Sequence, residues 1–218
     1  MKKLKLIIFD LDGTLIDAYG AINRSFNFTM KHFGYPEQSG PVIRGAVGWG
    51  DKQLLKPFVA QSDLDKVLKV YRKHHKTSLV KYSRVFPGVV RLLSGLKAKG
   101  YKLAVASNRP TRFSLILLRH LGLKFYFDYI LCADRLKAGK PNPQILHKII
   151  DKFSLNLADA LYVGDMVIDA QAGRRAGVKT VIVTTGSSSA AEIRREKPWK
   201  VIKRISLLSK LLLYSGFA

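Results

Sequence analysis

Short apolar runs rich in branched residues recur along the chain at residues 6–9, 103–106, 129–131, 160–163 and 180–183, each followed by a segment with helical spacing. The alternation predicts an α/β protein with a doubly wound, mostly parallel sheet, since parallel strands need a long crossover and a helix supplies it. The spacing is uneven. The first two predicted strands begin near Lys5 and Lys102, roughly 97 residues apart, far more than one crossover requires. Between them, Ile22, Phe26, Met30 and Phe33, then Leu64, Val67, Leu68 and Tyr71, repeat at helical intervals, with no strand pattern. Residues 18–84 are therefore expected to form a small α-helical cap domain inserted into an α/β core made of residues 1–17 and 85–218. Phe86-Pro87-Gly88-Val89 marks the return to the core, and a helix over 89–99 should stop at Gly100, which suits a left-handed C′ position. Farther on, residues 199–202 predict an edge strand and 207–213 a final helix with Ser206 as its N-cap. A helix lying on a membrane surface is the alternative there, but its apolar residues are few and mixed with lysines, which favours docking on the sheet.

The composition, with 47% hydrophobic and 24% charged residues in 218, is that of a soluble globular protein, and no apolar stretch reaches the length of a membrane span. The amino-terminal lysines and the run at 6–9 lead into Asp10 and Asp12, not into a small-residue cleavage site, so a first strand is expected there and not a signal peptide. Cys132 is the single cysteine, and none of the five histidines pairs with it at zinc-ligand spacing. A core position for Cys132 and a cytoplasmic location follow as expectations, and His74 and His75 read as residues of a solvated helix face. The charge is unusual: 38 Lys+Arg against 15 Asp+Glu gives +23, enough to attract anions over about a Debye length. The basic residues are spread along the whole chain without a zinc-finger spacing, an aromatic RNA-binding signature or a basic arm, so nucleic acid is not the expected partner.

Candidate chemistry sits where the predicted strands end. Asp10-Leu11-Asp12-Gly13-Thr14 places two carboxylates, one residue apart, at the carboxyl end of a buried strand, followed by a glycine that lets backbone amides approach an anion. Later strand ends bring Ser107 and Asn108, then Lys140 before Pro141, then Asp165 and Asp169 in Gly164-Asp165-Met166-Val167-Ile168-Asp169. Each alone is compatible with a turn or a helix cap; their order and spacing are more informative.

In that order the groups resemble the haloacid dehalogenase-like phosphohydrolase superfamily, from Asp10 to the last strand. The helical insertion is similar to the cap of the subgroup containing phosphoglycolate phosphatases and β-phosphoglucomutases. Gly48-Trp49-Gly50 and Ser107-Asn108-Arg109-Pro110 look most like the phosphoglycolate phosphatase branch. The resemblance implies a Rossmann-type core, a Mg²⁺ cofactor and hydrolysis of a small phosphorylated metabolite through an aspartyl-phosphate. It makes Asp10 the nucleophile, which as a carboxylate needs no separate base, and Asp12 the general acid and base. Lys140 would offset the clustered negative charge and contact nucleophile and phosphate, with the Ser107 hydroxyl and the Asn108 backbone N–H also on the phosphoryl group. Asp10, Asp165 and the Asp12 carbonyl would hold the metal, while Asp169 either binds it through water or orients Lys140. Arg44, Trp49 and Lys52 in the insertion, and Arg109 in the core, are candidates for recognising the rest of the substrate, against a plain exposed-loop reading for the first three. A phosphosugar mutase of the β-phosphoglucomutase type is the nearest alternative. Dehalogenation is disfavoured because halide departure needs no proton donor such as Asp12. A basic nucleic-acid-binding protein on an inactive scaffold is opposed by the intact motifs.

Overall fold

A computed structural model describes residues 4–214. In chain order the elements are β1 (Leu6–Phe9), β2 (Ile16–Asp17), α1 (Tyr19–His32), α2 (Gly40–Ala46), α3 (Asp51–Leu55), α4 (Leu64–Tyr82) and β3 (Arg84–Val85). They continue with α5 (Val89–Ala98), β4 (Lys102–Ser107), α6 (Thr111–His120), β5 (Tyr129–Cys132), α7 (Gln144–Lys152), β6 (Ala160–Gly164), α8 (Val167–Ala176), β7 (Lys179–Val183), α9 (Ala190–Arg195), β8 (Lys200–Ile202) and α10 (Leu208–Tyr214).

Six strands form one parallel sheet in the order β5-β4-β1-β6-β7-β8. All four residues of β1 are buried, as expected of a central strand covered on both faces. Ile7 and Phe9 enter the core layer that holds apolar residues of α5, α6 and α10. Leu6 and Ile8 enter the other, with α7 and α8. Phe9 lies in register between Val105 and Val163, so the chain leaves β1, β4 and β6 at one level. Strand order reverses at β1, and the crevice beyond the carboxyl ends of such strands is where open α/β sheets bind ligands.

The long interval between β1 and β4 holds α1 to α4, and the apolar positions named from the sequence, among them Ile22, Phe26, Met30, Val67, Leu68 and Tyr71, pack together in one cluster. The chain enters and leaves this insertion side by side, through an antiparallel ribbon pairing Ile16 with Val85 and Asp17 with Arg84. Two-residue strands carry no readable period, so Arg84 reads as helical insertion from the sequence although it pairs as a strand.

The carboxyl end needs one correction. The final helix begins at Leu208, and Ser206 lies inside a preceding 3₁₀ turn (Ile205–Leu207) instead of capping the helix. Leu208 and Leu212 are buried in the main core, so α10 docks on the protein. Among the described residues no helix is long and apolar enough to cross a membrane. Cys132 is buried as expected, its thiol 3.3 Å from the Ser114 hydroxyl.

Candidate active site

Asp10 is the first residue past β1, held there by its own N–H donating to the Val163 carbonyl at 2.9 Å. From 130 positions farther along the chain, the loop before α7 brings the Lys140 ammonium to 2.7 Å from Asp10 Oδ1 and 2.8 Å from Asp169 Oδ1. All three side chains are buried. Tyr162, on β6, donates its hydroxyl to Asp169 Oδ1 at 2.6 Å and lies 3.1 Å from the Lys140 amine. The other Asp169 oxygen accepts the backbone N–H groups of Asp165 and Met166, at 3.1 and 2.9 Å. Both Asp169 oxygens therefore have protein donors, and the side chain orients Lys140 while closing the first turn of α8.

Asp165 is arranged differently. One oxygen accepts the Thr14 hydroxyl at 2.7 Å, while Oδ2 is buried with no hydrogen-bond partner. A side chain at Gly13 or Gly186 would collide with that oxygen, so two glycines keep the space beside it clear. Ligand oxygens of Asp10, Asp165 and Asp169 lie within 4.8 Å of one another. An unpaired buried carboxylate oxygen in an all-oxygen cluster suits a hard divalent cation, and Mg²⁺ fits this donor set.

Burial pushes the Asp10 carboxyl up to about 7, against the opposing pull of Lys140. Burial also raises Asp165 well above the carboxylate range, with the Asp169 and Asp10 charges adding to the effect. For Lys140, burial acts to lower the pKa, but Asp10 and Asp169 together hold it above the ordinary lysine value, so it stays charged. Three acids share one lysine, so burial and mutual repulsion keep protons on Asp10 and Asp165, and a bound cation would let them ionise.

Ser107 and Asn108 end β4 beside this cluster. The Ser107 hydroxyl accepts the Arg109 backbone N–H at 3.1 Å. The Asn108 amide donates to the carbonyls of Gly48 and Lys140 at 2.8 and 3.0 Å and accepts the Lys140 N–H at 2.8 Å, tying the insertion to the lysine loop. Asp12 points toward Arg109, whose Nε and Nη2 reach its two oxygens at 2.8 and 2.7 Å.

The four groups named for core chemistry thus converge, and Arg109 joins them at a cavity of about 60 Å³ lined also by Asp10, Asp12, Ser107, Asn108 and Lys140. Arg44, Trp49 and Lys52 do not line it. Arg44 donates to the Thr185 and Gly186 carbonyls at 2.8 and 3.1 Å and stacks over Tyr19. Lys52 pairs with exposed Asp65 at 3.1 Å, and Trp49 is 48% exposed.

Of the two histidines, His74 is half-buried, while His75 is not on a solvated face. His75 is 2% exposed, and its Nε2 accepts from Arg109 Nη1 at 2.9 Å, an assignment that follows from arginine having only donors. His74 stacks on Phe28 at 4.0 Å and contacts Ser25 and Ser78. A signal for His75 was present, since it continues the buried stripe of Leu64, Leu68 and Tyr71 along α4. Tyr162 escaped notice because it sits within an apolar strand with no motif of its own, whereas Thr14 closes the first motif and caps the Asp165 carboxylate.

A parallel sheet with buried carboxylates and a lysine gathered past its central strand, under a helical insertion, defines a class. A family model for haloacid dehalogenase-like hydrolases matches residues 7–183, and the chain belongs to that family. Its relatives include the phosphoglycolate phosphatase of Aquifex aeolicus (strain VF5), 34% identical over 209 residues that cover 96% of this chain and 97% of that protein. The phosphoglycolate phosphatase of Haemophilus influenzae is 32% identical over 222 residues, covering 96% and 99%. A crystal structure described as a predicted phosphoglycolate phosphatase from Haemophilus somnus 129PT superposes with a TM-score of 0.91 at 28% identity, covering 97% of this chain and 99% of that one.

Proposed function

We propose that the protein is a Mg²⁺-dependent phosphatase that hydrolyses a small phosphate monoester through an aspartyl-phosphate on Asp10, with 2-phosphoglycolate the substrate favoured by its relatives. The observation that carries the reading is the Asp10–Lys140–Asp169 chain beside the unpartnered Asp165 oxygen. Asp10 attacks phosphorus in line, the ester P–O bond breaks, and Asp12 gives its proton to the departing alkoxide. Water then attacks the aspartyl-phosphate, Asp12 takes the proton, and inorganic phosphate leaves with Asp10 restored. Lys140 holds positive charge at the nucleophile, and Ser107 and the Asn108 N–H stand where the phosphoryl oxygens need donors. Asp10, Asp165 and the Asp12 carbonyl would hold Mg²⁺, which supplies charge neutralisation for the phosphoryl oxygens when bound.

Residues 18–84 serve in this reading as a cap domain that covers the reacting groups, with a small cavity beneath it. Arg44 acts as a latch between cap and core through its two carbonyl contacts. Arg44→Ala is expected to raise KM about fivefold with a smaller change in kcat, read from steady-state kinetics. A cytoplasmic location accords with a free, buried Cys132.

Phosphate release from 2-phosphoglycolate, hexose phosphates and an aryl phosphate, with Mg²⁺ and with a chelator, tests the function. Strong Mg²⁺-dependent release from the first is expected. Absence of release from every ester would overturn the phosphatase, and isomerisation of a hexose 1-phosphate without net release would establish a mutase instead.

A further inference from the structure

Arg109 and Lys140 are the cationic side chains lining the cavity among the described residues. Lys140 is engaged by Asp10 and Asp169, on the side where phosphoryl transfer takes place. Arg109 is therefore the cation left for a second anionic group on a bound substrate.

Its surroundings aim it. The guanidinium is buried, its Nη1 donates to His75 Nε2 at 2.9 Å, and its backbone N–H is fixed on the Ser107 hydroxyl at 3.1 Å. His75 is backed in turn by Ser25, 3.1 Å from Nδ1, and Ser25 donates to the Ala21 carbonyl at 2.9 Å. With Nη1 taken by a neutral acceptor from α4, the Nε–Nη2 edge faces the cavity as a planar two-pronged donor. That geometry matches a carboxylate, and a carboxylate occupies it: both oxygens of Asp12 accept from this edge, at 2.8 and 2.7 Å.

This arrangement conflicts with the work assigned to Asp12. A general acid must bring an oxygen to the ester oxygen of the substrate, and here both Asp12 oxygens are held by the arginine. Another carboxylate presents the same two acceptors to these prongs and can take the place of Asp12. A neutral leaving group has nothing to exchange.

We propose that Arg109 is the receptor for a carboxylate on the substrate's leaving group, and that Asp12 is an internal stand-in which this carboxylate displaces. The assignment rests on the phosphatase reading and narrows it to short phosphate monoesters of hydroxy acids, since the cavity is about 60 Å³ and the insertion contributes apolar walls such as Val47 and Leu54. Recognition and chemistry are thereby coupled: binding of the carboxylate frees the Asp12 oxygens to reach the ester oxygen of the substrate. Selectivity should then appear in kcat as well as in KM.

The test compares 2-phosphoglycolate with ethyl phosphate, which keeps the chain length and replaces the carboxylate by a methyl group. The wild-type protein should prefer 2-phosphoglycolate, and in Arg109→Met the ratio of the two kcat/KM values should fall about 10- to 100-fold. Arg109→Lys, which keeps the charge but not the two prongs, should give an intermediate ratio. Each ratio is taken within one preparation, so any misfolded fraction cancels. An equal loss on both esters would make Arg109 only a positioning residue for Asp12 and overturn the receptor. Equal wild-type hydrolysis of the two esters would also overturn the receptor while leaving the phosphatase standing. Release from neither would overturn both.

Discussion

Asp10→Asn should lower turnover by roughly four orders of magnitude or more while leaving a folded protein, because an amide cannot form the phosphoryl ester and the other carboxylate past this strand, Asp12, is turned toward Arg109. The fold is expected to survive because Lys140 retains Asp169 at 2.8 Å and the hydroxyl of Tyr162 at 3.1 Å. The same variant carries a pH signature. Burial raises the Asp10 pKa from 3.8 to about 7, so the folded state holds this proton more tightly than the unfolded chain does. A raised carboxylate destabilises the folded protein as pH rises between those two values, and the loss is complete above the upper one. Asparagine has no such proton. Measured by urea unfolding in the presence of a chelator, the variant should gain stability relative to the natural protein between pH 5 and pH 8. A difference that stays constant with pH would show that Asp10 ionises without penalty and that its setting is not the buried one described above.

The sequence displays the sheet plainly, for a physical reason. Central parallel strands are buried on both faces, so the runs at 6–9, 103–106 and 160–163 stand out as nearly unbroken apolar segments, and the groups that follow them must share one end of the sheet. The insertion was visible through two amphipathic stripes and an overlong interval. What stayed hidden depends on side-chain direction. Nothing in Arg109 as a letter shows that its guanidinium turns back onto Asp12, 97 positions away, and nothing in His75 shows that it braces that turn from another helix. Nor did the glycines of the insertion reveal their purpose. Gly48 has φ of 113°, where side chains are strained, and a Cβ there would also strike the Met166 sulphur at 2.5 Å, which lets the insertion approach the core closely. Arg44, Trp49 and Lys52 looked suitable for substrate because arginine pairs well with carboxylates and an insertion of this kind closes over the site. Their actual neighbours are carbonyls, solvent and an acidic side chain, which only the packing of α2 and α3 decides.

Asp165→Asn is expected to separate stability from activity more sharply than any other single change. In the folded protein this carboxylate is fully buried, has one oxygen without a partner and faces two other acids. Folding must either bury this charge or take up a proton, and asparagine removes that cost, so the metal-free protein should be stabilised, since asparagine can still accept the Thr14 hydroxyl that now lies 2.7 Å from Oδ1. Activity should move the other way. Without this ligand the remaining oxygens hold Mg²⁺ weakly, and turnover at millimolar Mg²⁺ should fall by roughly a thousandfold, with partial recovery as the metal concentration is raised. Lys140→Met provides the opposite sign within the same cluster. It strips Asp10 and Asp169 of their shared cation, leaves buried charge unpaired and should cost about 3–5 kcal/mol of stability along with activity. Thermal unfolding of the two variants with and without Mg²⁺ distinguishes these cases. Mg²⁺ should raise the melting temperature of the natural protein, scarcely move that of Asp165→Asn, and raise that of Lys140→Met most, because there the cation is the sole remaining counter-charge at the acids. If Asp165→Asn instead lowered the melting temperature in chelator, the unpartnered oxygen would be a structural acceptor and the metal would have to be held elsewhere.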